Sequence, residues 1–161
     1  MKLFLAVLLG SFAGTAVNVW WLSGFIPWFL LPDYSFLAIV FSGLFLSGPV
    51  GFLAALAPAL FREMTVSAPP WTFFFGSMAL FFLAREMALR VFVRTESFVL
   101  AVVAGLLLLE SVSIVTLLLM AGSRPFSVLW GAKEAVRIAW TSLLAVPIFM
   151  DLSDRWRRVR E

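Results

Sequence analysis

A single charged residue, Glu110, stands inside the apolar run Phe98–Met120. An ionised side chain midway along a membrane helix costs about 2.5–3.5 kcal/mol on insertion scales, so it faces the protein interior and a partner. Its chemistry is that of a proton or ion site, a contact with a partner's helix, or an internal pair, including a protonated acid bonded to Ser111, Ser113 or a backbone carbonyl. The next run, Phe126–Met150, carries Lys133, Glu134 and Arg137 in its first half. Arg137 stands at a depth similar to that of Glu110, which predicts a Glu110–Arg137 ion pair.

Other polar and small residues have simpler roles. Gly10-Ser11-Phe12-Ala13-Gly14 is a GxxxG motif that, with Ala6, Thr15 and Asn18, gives one helix a small face for close packing, within the chain or against another protein's helix. Ala55, Ala59, Ala101 and Gly105 form similar faces. Pro32-Asp33 marks a helix start, with Asp33 placed to cap the amides that follow. Arg62-Glu63 reads as an interfacial pair whose long side chains snorkel to water.

Most catalytic machinery is excluded. The chain has no Cys and no His, so it has no thiolate or imidazole metal site, no Cys nucleophile, no Ser-His-Asp triad and no disulfide. It also has no glycine-rich phosphate loop and no carboxylate cluster for a metal, and Ser47-Gly48 has no base to activate it. The expectation is a protein without enzymatic activity, metal or cofactor.

The elements that hold these residues are set by composition. Of 161 residues, 63% are hydrophobic and 13% charged, with a mean hydropathy of +1.05. Soluble domains carry about 25% charged residues, and a body this small cannot bury so much apolar surface in water. The chain is therefore expected to be an all-α, polytopic membrane protein. Uncharged runs bounded by charges and turn formers predict six helices at about 3–23, 34–47, 50–62, 71–90, 98–120 and 126–150, then a basic tail over 151–161. The break between the second and third is Ser47-Gly48-Pro49-Val50-Gly51, and the third is short enough to be re-entrant or strongly tilted. With no linker and no repeat, one compact six-helix bundle is expected.

Orientation follows from the basic residues, whose excess reports topology rather than a nucleic-acid partner. With the N-terminus inside, Lys2, Arg85, Arg90, Arg94, Arg155, Arg157, Arg158 and Arg160 fall on the cytoplasmic side, and Arg62, Arg124, Lys133 and Arg137 on the outer side. Eight against four predicts N-in and C-in. Trp20, Trp21, Trp28, Trp71 and Trp130 then line the outer interface. Arg155, Arg157, Arg158 and Arg160 form a cytoplasmic anchor drawn to anionic lipid, with a docking surface for a cytoplasmic protein as a second role.

Taken together, the layout resembles the MreD family of rod shape-determining membrane proteins. The resemblance rests on Pro32-Asp33-Tyr34 opening a hydrophobic segment, on Gly48-Pro49-Val50-Gly51-Phe52 leading an apolar run, and on Pro147-Ile148-Phe149-Met150 before the basic Arg155–Arg160 tail. Glu110 fits the family's mid-helix acid. Many members carry an Asp about eight residues past the glycine that precedes Phe52, where this chain has Ala59, and its nearest acid is Glu63. The resemblance implies a scaffold of the bacterial cell-elongation machinery in the cytoplasmic membrane. Its main partner would be the single-span protein MreC, which links MreB filaments to a RodA-type glycosyltransferase and a penicillin-binding transpeptidase.

The family is also similar in helix arrangement to the substrate-binding subunits of energy-coupling-factor vitamin transporters, which gives the alternative function. Asn18, Glu110, Lys133 and Arg137 are the polar candidates for such a pocket, and the short, hydrophobic outer loops favour the scaffold.

Overall fold

The computed structural model describes residues 2–17, 24–46, 48–65, 71–90, 95–120 and 127–160. The described residues are all-helical: α1 (Lys2–Val17), a 3-10 turn (Trp28–Leu30), α2 (Tyr34–Phe45), α3 (Gly48–Thr65), α4 (Thr72–Arg90), α5 (Glu96–Met120) and α6 (Val128–Arg160). Among the described residues, three helices are long and apolar enough to cross a membrane, over Thr72–Arg90, Glu96–Leu117 and Leu129–Leu152. Residues 18–23, at the end of the expected first helix, lie outside the described residues, as do Asn18, Trp20 and Trp21.

The turn formers after α2 act as their chemistry requires. Leu46 leaves the helix in an extended conformation, and α3 begins at Gly48 with Pro49 in its first turn, where a missing N–H costs nothing. Helices α2 and α3 thus pack against each other as neighbours. Arg85 of α4 closes their junction by donating from Nη1 to the Leu46 carbonyl at 2.7 Å. The third helix reaches Thr65, past its expected end, and continues through Pro58. The sixth runs unbroken through Pro147 to Arg160, so the expected tail is the last part of a helix. At 1.5 Å per residue α6 is about 50 Å long, longer than the hydrocarbon core.

Helix α2 is the centre. Every residue from Ser35 to Leu44 is buried, which a short helix achieves only when neighbours cover it all round. Phe36, Leu37, Val40, Phe41 and Leu44 share one core with Val99, Val103 and Leu107 of α5 and Ala145 and Phe149 of α6. Phe149 meets Phe41 edge-on at 5.3 Å and Phe45 at 5.9 Å. On the other side Ile39 packs with Ala55 and Ala59 of α3 and Met78 and Phe81 of α4.

Two glycines set how close these helices come. A Cβ on Gly51 would stand 2.7 Å from the Ser42 carbonyl oxygen, and one on Gly43 would stand 2.8 Å from both the Phe81 carbonyl oxygen and the Ala84 Cβ. The third small contact is Gly14, which lies against the Tyr34 ring. Gly10, by contrast, faces open space, so the GxxxG motif is divided between an internal contact and an outward face. Phe52 is partly exposed, its ring 6.1 Å from Phe81 and 6.3 Å from Phe82.

Substituting Gly43 with Ala is expected to cost about 1–3 kcal/mol through overpacking against backbone. Gly76, also helical but open, should tolerate Ala or gain from its higher helix propensity. Thermal unfolding of the two variants in the same detergent tests the contrast.

Candidate functional site: a buried five-residue charge cluster

The charges inside this apolar body gather at one place. Asp33 stands at the N-terminus of α2, where its Oδ1 accepts the Phe36 amide at 2.9 Å and caps the helix. Its other oxygen, Oδ2, accepts from Arg62 Nη2 at 2.9 Å and lies 3.6 Å from Arg137 Nη1. Arg62, near the end of α3, turns its other nitrogen to Glu110 Oε1 at 2.6 Å and to the Ser77 hydroxyl of α4 at 3.4 Å. Arg137 of α6 reaches back to Glu134, three residues earlier, with Nη2 2.5 Å from Oε1. Glu134 in turn touches Ser111 of α5 at 2.6 Å. Five helices are joined.

Arginine suits this position as lysine would not. Its planar fork offers several donors in fixed directions, so one guanidinium can hold a carboxylate on each side. Arg62 is only 7% exposed, Glu110 8% and Glu134 7%. The Arg62 fork also lies near the rings of Phe36, at 6.0 Å, and Phe73, at 5.8 Å. Stripping water from such ions costs several kcal/mol each, and only close pairing with extra hydrogen bonds offsets it.

Two expectations are corrected here. Glu110 pairs with Arg62, not with Arg137 as expected; Arg137 belongs to the same cluster but binds Glu134 and Asp33, and the arginine of α3 takes Glu110. Arg62-Glu63 is not a snorkelling pair. Arg62 is buried, and Glu63 turns to α4, accepting from the amides of Trp71 and of Phe74, the latter at 2.9 Å. Trp71 adopts a left-handed conformation at φ 70°, and Glu63 thereby supplies the cap that α4 lacks locally.

Among the remaining candidates, Lys133 stands outside the cluster with Nζ 5.6 Å from the Phe29 ring. Pro32 is buried beside Asp33. Gly48 and Gly51 lie at the cluster-distal end of α3, and Arg155, Arg157, Arg158 and Arg160 lie along the last turns of α6. Asn18 lies outside the described residues. Among the described residues, no group of three or more His, Cys, Asp and Glu is placed to hold a metal ion.

No protein-family model matches the chain, and no curated protein or solved structure matches it. Geometry therefore carries the reading of the site. What it can do chemically is bind charge: it ties five helices together at one level and holds two carboxylates, Glu110 and Glu134, out of water.

Substituting Arg62 with Met removes the cation from Glu110 and one of the two from Asp33, and is expected to cost about 3–5 kcal/mol, the scale for breaking a buried pair from one side. Adding Asp33→Asn, which keeps a capping side chain, should recover part of that loss, whereas exchanging Glu110 and Arg137 should recover none. Thermal midpoints of the four proteins in one detergent decide between these pairings.

Proposed function

We propose that the chain is a non-enzymatic scaffold of the bacterial cell-elongation machinery, a multi-pass protein of the cytoplasmic membrane that binds MreC. Through MreC it helps couple MreB filaments to peptidoglycan synthesis by a RodA-type glycosyltransferase and a penicillin-binding transpeptidase. The family resemblance at Pro32-Asp33, Gly48–Phe52 and Pro147–Met150 supplies the identity of the partners. The observation that carries a scaffold reading is where the polarity goes: the buried charges bind one another, while the outward faces are apolar. Leu108 is 54% exposed, Val112 61%, Phe75 66% and Phe82 54%, surfaces suited to lipid and to another protein's helix.

In this reading all six helices form one bundle with both termini inside. The cluster supports the alternation, because it joins the start of α2, the end of α3 and the start of α4 at one level. The same level holds the later part of α5 and the early part of α6. Antiparallel neighbours meet in that way. The cluster also sharpens the charge bias, since two of the four basic residues on the outer side, Arg62 and Arg137, are held in internal pairs and are not flanking charges.

The chain has no native cysteine, so single-cysteine variants report sidedness directly. Ser127→Cys should react with an impermeant maleimide from outside intact cells, and Ser97→Cys only after the membrane is opened; the reverse pattern would invert the topology. Affinity purification in mild detergent, followed by mass spectrometry of bound proteins and small molecules, should recover MreC with elongation enzymes. Stoichiometric recovery of a vitamin-like ligand or an energy-coupling ATPase would overturn the scaffold reading.

A further inference from the structure

Among the described side chains, every cation but one meets an acceptor. Arg62 and Arg137 have the carboxylates of the cluster, Arg90 has Glu86, and Arg85 has the Leu46 carbonyl. Lys133 has none among the described residues; half-buried on α6, it lies with Nζ 5.6 Å from the Phe29 ring. A ring face attracts a cation but carries no net negative charge. Lys133 is also the fifth residue of the membrane-length stretch Leu129–Leu152, where a lysine calls for an anion close by.

Seven residues further on, near the middle of that stretch, Trp140 is 45% exposed. Tryptophan in membrane proteins gathers at the two interfaces, and hydrocarbon offers its indole N–H no acceptor. The two residues share a face. Leu129, Lys133, Val136, Trp140 and Leu143 follow alternating spacings of four and three, the seam of paired helices, and its four apolar members are all exposed. Glu134, Ala145 and Phe149 take the other side of α6 into the bundle.

We propose that this face of α6 binds a single membrane-spanning helix of another protein, one that carries a carboxylate about a turn inside its own end to pair with Lys133. Such a helix meets both needs, with the acid for the ammonium and, about 10 Å deeper, a hydroxyl or amide oxygen for the indole. Other occupants meet one need or none. A phospholipid brings a phosphate to Lys133 but leaves Trp140 in hydrocarbon. A second copy, paired about an axis along the helices, sets Lys133 against Lys133. The inference rests on the scaffold reading for the kind of partner and not for its identity.

Energy transfer in phosphatidylcholine vesicles tests it. The donor dye sits on Ser127→Cys of the full chain, which has no cysteine of its own. The acceptor sits on a synthetic leucine–alanine helix with a Glu one turn inside one end and a Ser seven residues on. The Glu peptide is expected to bind about tenfold more tightly than its Gln counterpart, the scale of one interhelical polar contact in lipid, and Lys133→Met should remove the difference. Trp140→Leu should weaken both peptides, and Phe82→Leu, on the exposed side of α4, neither. Circular dichroism checks that each variant folds, and the two peptides on the unsubstituted face decide the first point whether or not they do. Equal binding of Glu and Gln peptides overturns the proposal, as does a difference that survives Lys133→Met. Displacement of the Glu peptide by phosphatidylglycerol would assign Lys133 to a lipid phosphate, and energy transfer between two labelled chains that Trp140→Leu abolishes would assign the face to a second copy; either result overturns it too. The probe is synthetic, so the outcome is separate from whether MreC is recovered.

Discussion

The arrangement depends on one side chain that cannot be left alone. A guanidinium taken out of water must be surrounded by acceptors, and Arg62 finds them on Asp33, Glu110 and Ser77, which belong to three different helices or their caps. Apolar packing among Leu, Val and Phe tolerates sliding and exchange of neighbours at small cost. A fork of charged hydrogen bonds does not, since a shift of one residue strands an ion. The cluster therefore fixes the register of helices whose apolar surfaces alone would leave it loosely specified.

Adjacent residues divide the work at the end of α3. Arg62 points inward to the cluster, whereas Glu63 reaches the first amides of α4. The two tie α3 to its neighbours from both sides, and Glu63 does so where the first amides of α4 would otherwise lack partners. Asp33 combines these duties in one carboxylate, with one oxygen for the α2 amide and the other for the arginines.

Much of this was legible in the residues. Glu110 stands out because no other charge shares its run, and the break at Ser47–Gly51 combines Gly and Pro where a helix cannot continue unchanged. The partner of Glu110 was not legible from depth along successive helices, because it is the long Arg62 side chain that reaches it from α3, a helix that is not the neighbour of α5 in sequence. A usable signal was present: Asp33 and Arg62 bound the same uncharged run, and a run folded in half at its middle brings its ends together. Glu134 and Arg137, three apart on one helix, were similarly placed to meet. A helix through Pro147 was expected, but its continuation from Met150 to Arg160 was hidden, since six of the ten residues from Asp151 to Arg160 are charged and the apolar run that marked the helix stops at Met150.

The burial of α2 on every side bears on how the protein is made. Twelve residues span about 18 Å, well short of the hydrocarbon thickness, and the segment opens with a charged aspartate. Such a helix has little reason to rest in lipid by itself. Apart from α1, its cover comes from segments synthesised after it: α3 and α4 close one side, and α5 and α6 complete the other. The middle of this protein is thus encoded early but completed late, because its burial needs segments that follow it in the chain.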